Sequence, residues 1–440
     1  MKHSLLCCFL EILTYTAMLP SKIRTVTRLF FLISLTGLVT YVGLAFYSFQ
    51  TTFSSVMETG TSVYILNKTE NFNSRPKSIL LWTTSDHTEN PIGEGQEPFI
   101  KQNCLFLNCF ITSKKNSLKD YKNFDAVLFN LSLVKVWRKL NLPQDRSYNQ
   151  KYVFHSMLPS NENPMCNNDL DNYFNWTWSY KLYSDIVTPF IEVLDLAGNI
   201  VAPNTDVEWS NMKSNDSFMI PVKKSKAVAL YIKKCQPMLR RMAYSKELQY
   251  FLKEHHLEMD IFGCGGIKCP TAEDCRSIIE NYHFYLVYEE SMSEDYLTNE
   301  VMYAYDNFAV PIVISGVDYT KFLPPVSYID AGAIHPDKLA AIIDYTIRNP
   351  STYNGYHSWR SSYSIREVNH LRGLCDLCRL LNNGGRMVVH STYETFRKWW
   401  FYGSLRERCY PKGAETFSEL LSYINVTSKK KNSNIKGRYT

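Results

Sequence analysis

The chain has 440 residues, 45% hydrophobic and 14% aromatic, which is enough material to bury two packed domains. The net charge of +6 is mild and resides partly in Lys429 to Lys431, so the long basic face that nucleic-acid binding requires is missing. Nucleic acid is therefore not an expected partner.

From the N-terminus, Leu29 to Phe49 is uncharged, mostly apolar and long enough to cross a bilayer as one helix. Lys22, Arg24 and Arg28 precede it, and the next charge after it is Glu58. Positive charge stays on the cytoplasmic side, which predicts a cytoplasmic tail (1–28), a signal anchor (29–49) and a luminal remainder. A cleaved signal peptide fits less well, because the segment starts late, is long, and lacks a clean small-residue cleavage site. The apolar run Ser4 to Pro20 is broken by Glu11 and is the weaker span; Cys7 and Cys8 within it read as apolar residues or acylation sites. Sequons at Asn67, Asn130, Asn175, Asn215 and Asn425, and ten of twelve cysteines beyond the span, agree with a luminal address.

Residues 50–76 are polar and aperiodic, as in a stem. Short apolar runs at Ser78–Thr83, Phe124–Phe129 and Lys151–Phe154 predict strands, with helical spacing around Leu133–Leu140. A second cycle follows: strand Ala227–Ile232, helix Arg241–His255, strands Met259–Phe262 and Phe284–Val287, helix Asn299–Asn307 and strand Val310–Ile314. Two blocks of strand–helix alternation predict an α/β fold of two doubly wound domains, 77–220 and 221–385, with ligands outside the carboxyl ends of the strands. Residues 386–440 read as a C-terminal helix and a basic tail. There is no internal repeat.

The stretch Tyr282 to Gly316, YHFYLVYEESMSEDYLTNEVMYAYDNFAVPIVISG, resembles the donor-site signature of α-1,3-fucosyltransferases, close to YKFYLxFENSxxxDYVTEKxxxAxxxxxVPVVxxG, without a gap. Islands at Ile79, Asp125, Phe174, Cys235–Arg241, Asp260 and Cys375 follow in the family's order. The resemblance implies a GT-B fold of two Rossmann-like domains with an interdomain cleft. The second domain would bind GDP-fucose, and the first would meet a glycan acceptor on a glycoprotein or glycolipid. It implies a single inverting displacement with no cofactor and no metal, on a Golgi membrane, with self-association as a homodimer favoured by the anchored stem.

Three jobs then need residues: a base for the acceptor hydroxyl, cations for the diphosphate, and groups that hold the nucleotide. Arg241 matches the family arginine at the diphosphate, and Tyr296 matches an aromatic that contacts the nucleotide; a surface arginine and a core tyrosine are the plain alternatives. Asp295 and Thr298 also suit helix caps. Several positions depart from the pattern. Glu290 replaces the asparagine before Ser291, and His283 replaces a lysine. Asn299 stands where a glutamate would grip the ribose, and Glu300 where a lysine would meet the diphosphate. Met157 occupies the place of the general base, leaving Glu162 as the nearby carboxylate. These changes leave a catalytically silent relative, binding glycans or partner enzymes, as the competing reading.

Cys264 with Cys269, and Cys375 with Cys378, have spacings that suit zinc or disulfides, and an oxidising lumen favours disulfides. The resemblance implies a Cys375–Cys378 bond, and Cys104 with Cys109 reads as a local pair. Asn175 lies inside the FNWTWSY island and is expected to be buried without glycan, leaving Asn67, Asn130, Asn215 and Asn425 as acceptors.

Overall fold

The computed structural model describes Gly37, Thr40 and residues 75–401 apart from 83–91, 132–141, 144, 161, 164, 166–167, 211–222, 234–238 and 270–271. The expected span 29–49 therefore lies outside the described residues except for Gly37 and Thr40, which are helical. Among the described residues no helix is long and apolar enough to cross a membrane. Asn67, Asn215, Asn425 and the Leu133–Leu140 helix also lie outside them.

Six parallel strands form the first sheet in the order β2-β1-β3-β4-β5-β6: β1 (Lys77–Leu81), β2 (Cys109–Thr112), β3 (Ala126–Asn130), β4 (Lys151–Ser156), β5 (Trp176–Ser179) and β6 (Ile186–Val187). A small antiparallel sheet then follows, with β7 (Ile191–Asp195) and β8 (Ile200–Ala202) joined by the late strand β14 (Tyr363–Glu367). The second parallel sheet has the order β10-β9-β11-β12-β13, from β9 (Lys226–Ile232), β10 (Met259–Gly263), β11 (Tyr282–Tyr288), β12 (Val310–Ile314) and β13 (Ile329–Asp330). Both parallel sheets share one plan. The chain starts in an inner strand, steps to one edge and then crosses back, which leaves a switch point between β1 and β3 and another between β9 and β11.

Burial on both faces explains why the strands read as unbroken apolar runs. In β1, Ile79 and Leu81 face one core while Leu80 faces the other. In β9, Ala229 faces one core while Val228 and Leu230 face the second. That second core is closed by Leu248 and Leu252 of α2 (Leu239–Glu254) and by Leu339 and Ile343 of α5 (Pro336–Arg348). Each such fully buried side chain contributes roughly 1.5–3 kcal/mol.

The other helices that matter are α1 (Glu97–Lys101), α3 (Ala272–Ile278), α4 (Met302–Asp306), α6 (Gly373–Asn382) and α7 (Phe396–Phe401). The predicted helix at 299–307 divides into a tight 3₁₀ turn, Asn299–Val301, followed by α4. The expected boundaries at 220 and 385 do not coincide with the packing. Ile191, Val193 and Ala202 of β7 and β8 join the second sheet's core. In the opposite direction, Leu374, Leu377 and Leu381 of α6 join one core of the first sheet, and Phe396 and Trp400 of α7 join its other core.

The disulfide pairing also differs from expectation. Cys375 and Cys378 are not joined to each other. At positions i and i+3 of α6 they sit on one side of the helix, and each meets a cysteine across the contact: Cys104–Cys375 and Cys109–Cys378. The local Cys104–Cys109 pair is excluded by the same bonds. Cys269 pairs with Cys275, so Cys264, which is itself disulfide-bonded, is not its partner. Asn130 ends β3 and is buried, so its sequon offers no room for a glycan in the folded chain. Asn175 is buried as well, its side chain accepting from the Tyr152 amide at 2.9 Å and donating to the Ser391 carbonyl at 3.1 Å.

Candidate active site

The switch point of the second sheet gathers the charge. β9 ends next to Lys233, α2 carries Arg241 above it, and β11 runs out into Glu289. Arg241 is 4% exposed; its Nη2 donates to the Tyr231 carbonyl at 3.2 Å and to Glu300 Oε1 at 3.4 Å, while its Nε is buried without a hydrogen bond. Glu300 is buried too, and its Oε1 accepts from the Tyr285 hydroxyl at 2.9 Å. The carboxylate has not turned out to solvent. It stands as the counterion of the arginine, and Tyr285, held inside β11, fixes it there.

Glu289 is 3% exposed, and its Oε1 accepts from the Thr298 amide at 2.8 Å and the Thr298 hydroxyl at 2.9 Å. Burial, reinforced by the neighbouring Glu300 charge, pushes its carboxyl up to about 8. Thr298 has a second role: its hydroxyl accepts from the Glu300 amide and caps the 3₁₀ turn. Burial alone would depress the Lys233 ammonium, but Glu300, Tyr303 and Glu289 outweigh burial and hold it above its ordinary value. Lys233 also lies 4.9 Å from the centre of the Tyr303 ring.

The segment after Glu289 reaches the first sheet. Ser291 and Ser293 are buried and share a 2.7 Å hydroxyl contact, and Ser293 meets Ser160 at 3.0 Å. Glu294 pairs with the buried Lys181 at 2.9 Å. Asp295, at a positive φ of 60°, accepts from the Leu182 amide at 3.0 Å. Asp295 is therefore not a helix cap. Gly316 lets the segment pass, because a Cβ there would stand 2.2 Å from the Met292 carbonyl oxygen.

Tyr296 is buried at this contact, with its ring 5.1 Å from Tyr180 and 5.6 Å from Phe190. Burial first, then the charges of Glu289, Glu162 and Glu290, drive its phenol far above the ordinary range. Of the carboxylates near the ring, Glu289 is buried, Glu290 is half-buried and Glu162 is exposed. Met157 is half-buried against the aromatic core of the first sheet, alongside Phe154 and Trp400.

Two predicted positions lie elsewhere. Asn299 donates to Glu367 of β14 at 3.0 Å, within an exposed network that includes Arg276 of α3, and does not face Arg241. His283 sits at the amino end of β11, with its Nδ1 2.9 Å from the Lys226 carbonyl. Sequence reasoning missed Glu289, Lys233 and Tyr285. Glu289 had a legible signal, an acidic residue directly after a buried strand at a switch point. Among the described residues no group of three His, Cys, Asp or Glu is placed to hold a metal ion. A cavity of about 200 Å³ lies elsewhere, between β7, β8 and the start of α6, and includes none of these residues.

Two family descriptions match the chain: "Fucosyltransferase, N-terminal" over residues 74–191 and "Glycosyltransferase family 10 (fucosyltransferase) C-term" over residues 221–399. Together they cover well over half of it. Alpha-(1,3)-fucosyltransferase C of Drosophila melanogaster is 29% identical over 351 residues, which is 76% of this chain and 79% of the relative. The human 4-galactosyl-N-acetylglucosaminide 3-alpha-L-fucosyltransferase FUT5 is 27% identical over 330 residues, 72% of this chain and 78% of its own length. A crystal structure of an alpha1,3-fucosyltransferase superposes with a TM-score of 0.43 at 14% identity, covering 74% of this chain and 96% of that one.

Proposed function

Because this chain belongs to glycosyltransferase family 10, the fucosyltransferases, we infer that it transfers fucose from GDP-fucose, in α-1,3 linkage, to N-acetylglucosamine of glycoprotein or glycolipid glycans. The observation that carries the reading is Arg241, buried at the switch point of the second sheet with a hydrogen-bonding donor unspent. A guanidinium there suits the two phosphate groups of a nucleotide sugar, and the Lys233 ammonium beside it adds a second cation.

The two parallel sheets are read as the two lobes of a GT-B enzyme, with the donor at β9 and β11 and the acceptor on the loops after β4 and β5. In the reaction the acceptor oxygen bonds to fucose C1 as the bond from C1 to the phosphate oxygen breaks. The electron pair leaves with GDP, where Arg241 and Lys233 offset the developing charge. The hydroxyl proton goes to a carboxylate. Met157 cannot take it, and Glu162, exposed beside the Tyr296 contact, is the assigned base. No metal is called on. We read residues 29–49 as the anchor of a single-pass Golgi protein with its N-terminus in the cytoplasm. The disulfides suit the luminal side, and the anchor would favour a homodimer.

The test is transfer of labelled fucose from GDP-fucose to an N-acetyllactosamine or chitobiose acceptor by the full chain. Glu162→Gln is expected to lower kcat by ~10²-fold or more with KM for GDP-fucose little changed. Absence of transfer to both acceptors would remove the enzyme reading, and an unchanged kcat in the variant would remove Glu162 as the base.

A further inference from the structure

Two buried carboxyl groups stand where a dianionic diphosphate would have to bind, and nothing in the proposed reaction uses them. Glu300 already holds Arg241 and is pinned by Tyr285. Glu289 is linked to it through one residue: Thr298 donates its amide and hydroxyl to Glu289, and its hydroxyl accepts from the Glu300 amide. The groups that face Glu289 come from every neighbouring element. They are Glu300 from the 3₁₀ turn, Arg241 from α2, Lys233 at the end of β9, Thr298 and Tyr296 from the connecting segment, and Tyr319 beyond β12. With both carboxyls ionised, the pair cancels Arg241 and Lys233 and leaves no net positive charge for a ligand. With one proton on the pair, the site carries one net positive charge.

We propose that Glu289 and Glu300 act as a carboxyl pair that admits the nucleotide sugar only while it retains one proton, so that donor binding is coupled to protonation of Glu289. Glu300 is the internal counterion that the diphosphate displaces from Arg241. The proposal rests on the donor-site reading given above and adds its control. The raised carboxyl of Glu289 supports it. An arriving diphosphate adds negative charge and raises that group further, so the bound state takes up a proton wherever the free site has lost it.

The experiment is calorimetric titration of the full chain with GDP-fucose, whose diphosphate diester keeps its charge across the range used. With the Glu289 carboxyl at about 8, affinity is expected to fall roughly tenfold between about pH 7 and about pH 9. Glu289→Gln mimics the protonated side chain and should reduce that change to less than about twofold. Glu300→Gln should bind at least about tenfold more tightly at neutral pH, since a like charge is gone, and should move the midpoint to lower pH. A flat wild-type profile, or an unchanged slope in Glu289→Gln, overturns the coupling while leaving GDP-fucose binding and the proposed function in place. No binding by any of the three proteins at millimolar GDP-fucose overturns both.

Discussion

Removing the two bridges that fasten α6 should have a strongly non-additive effect. Cys104–Cys375 and Cys109–Cys378 span 271 and 269 residues, and they lie side by side. With one bridge intact, the other closes only a ring of about ten residues, running along the short segments between the paired cysteines. In the chain-entropy account, closing about 270 residues is worth about 5.6 kcal/mol and closing about ten is worth about 2.7 kcal/mol. Loss of either bridge as a pair of Cys→Ala substitutions should therefore cost about 2.7 kcal/mol, and loss of both about 8 kcal/mol, more than twice the single cost. Urea unfolding of the oxidised full chain and its three variants measures this, with peptide mapping to verify the pairing. A double loss no larger than the sum of the single losses would refute the reasoning, as would a peptide carrying a Cys375–Cys378 bond.

Three further outcomes are expected. Gly373→Ala would ordinarily help a helix start, but its Cβ would lie 2.2–2.6 Å from the Trp178 ring, so the variant should lose several kcal/mol by calorimetry. Glu294→Gln removes the carboxylate paired with the buried Lys181 ammonium, which keeps its hydrogen bond to the Trp399 carbonyl, and should destabilise the fold by about 3 kcal/mol, while Lys181→Met, which fills the site with an apolar chain, should cost less. Glu289 is the pH-sensitive case. Its folded carboxyl is raised above the unfolded value of 4.5, so its favourable contribution is complete below about that pH and is lost as pH rises towards about 8. Thermal unfolding should show Glu289→Gln gaining on the wild type across that window, at up to about 1.4 kcal/mol per pH unit, and a constant difference would contradict this.

The second sheet was legible from the sequence because β9, β11 and β12 are buried on both faces and appear as uninterrupted apolar runs. The antiparallel sheet was not, because β14 pairs with β7 across more than a hundred and sixty residues, and no local pattern records such a pairing. At the site, the register that singled out Arg241 and Glu300 was readable, whereas their ion pair was not, because it depends on how α2 crosses the 3₁₀ turn. Asn299 and Glu300 show why neighbours in sequence part company. One residue along a tight turn rotates the side chain by about a third of a circle, so Glu300 points to the buried arginine and Asn299 to the surface network. The cysteines on α6 were misassigned for a related reason, since spacing along a helix states which side a group occupies and not what lies opposite.

The return of α6 and α7 to the first sheet has a consequence for biosynthesis. The ribosome delivers β1 to β6 well before the helices that cover them, with the whole second sheet made in between. Until the last tenth or so of the described chain has emerged, the core around Ile79 and Val153 lacks Leu374, Leu377 and Leu381, that around Phe154 lacks Phe396 and Trp400, and Cys104 and Cys109 have no native partner to oxidise with. The nascent half-protein must therefore be kept from aggregating and from premature thiol pairing, and a chain that stops short of residue 373 fails in the first sheet, far from the point of truncation.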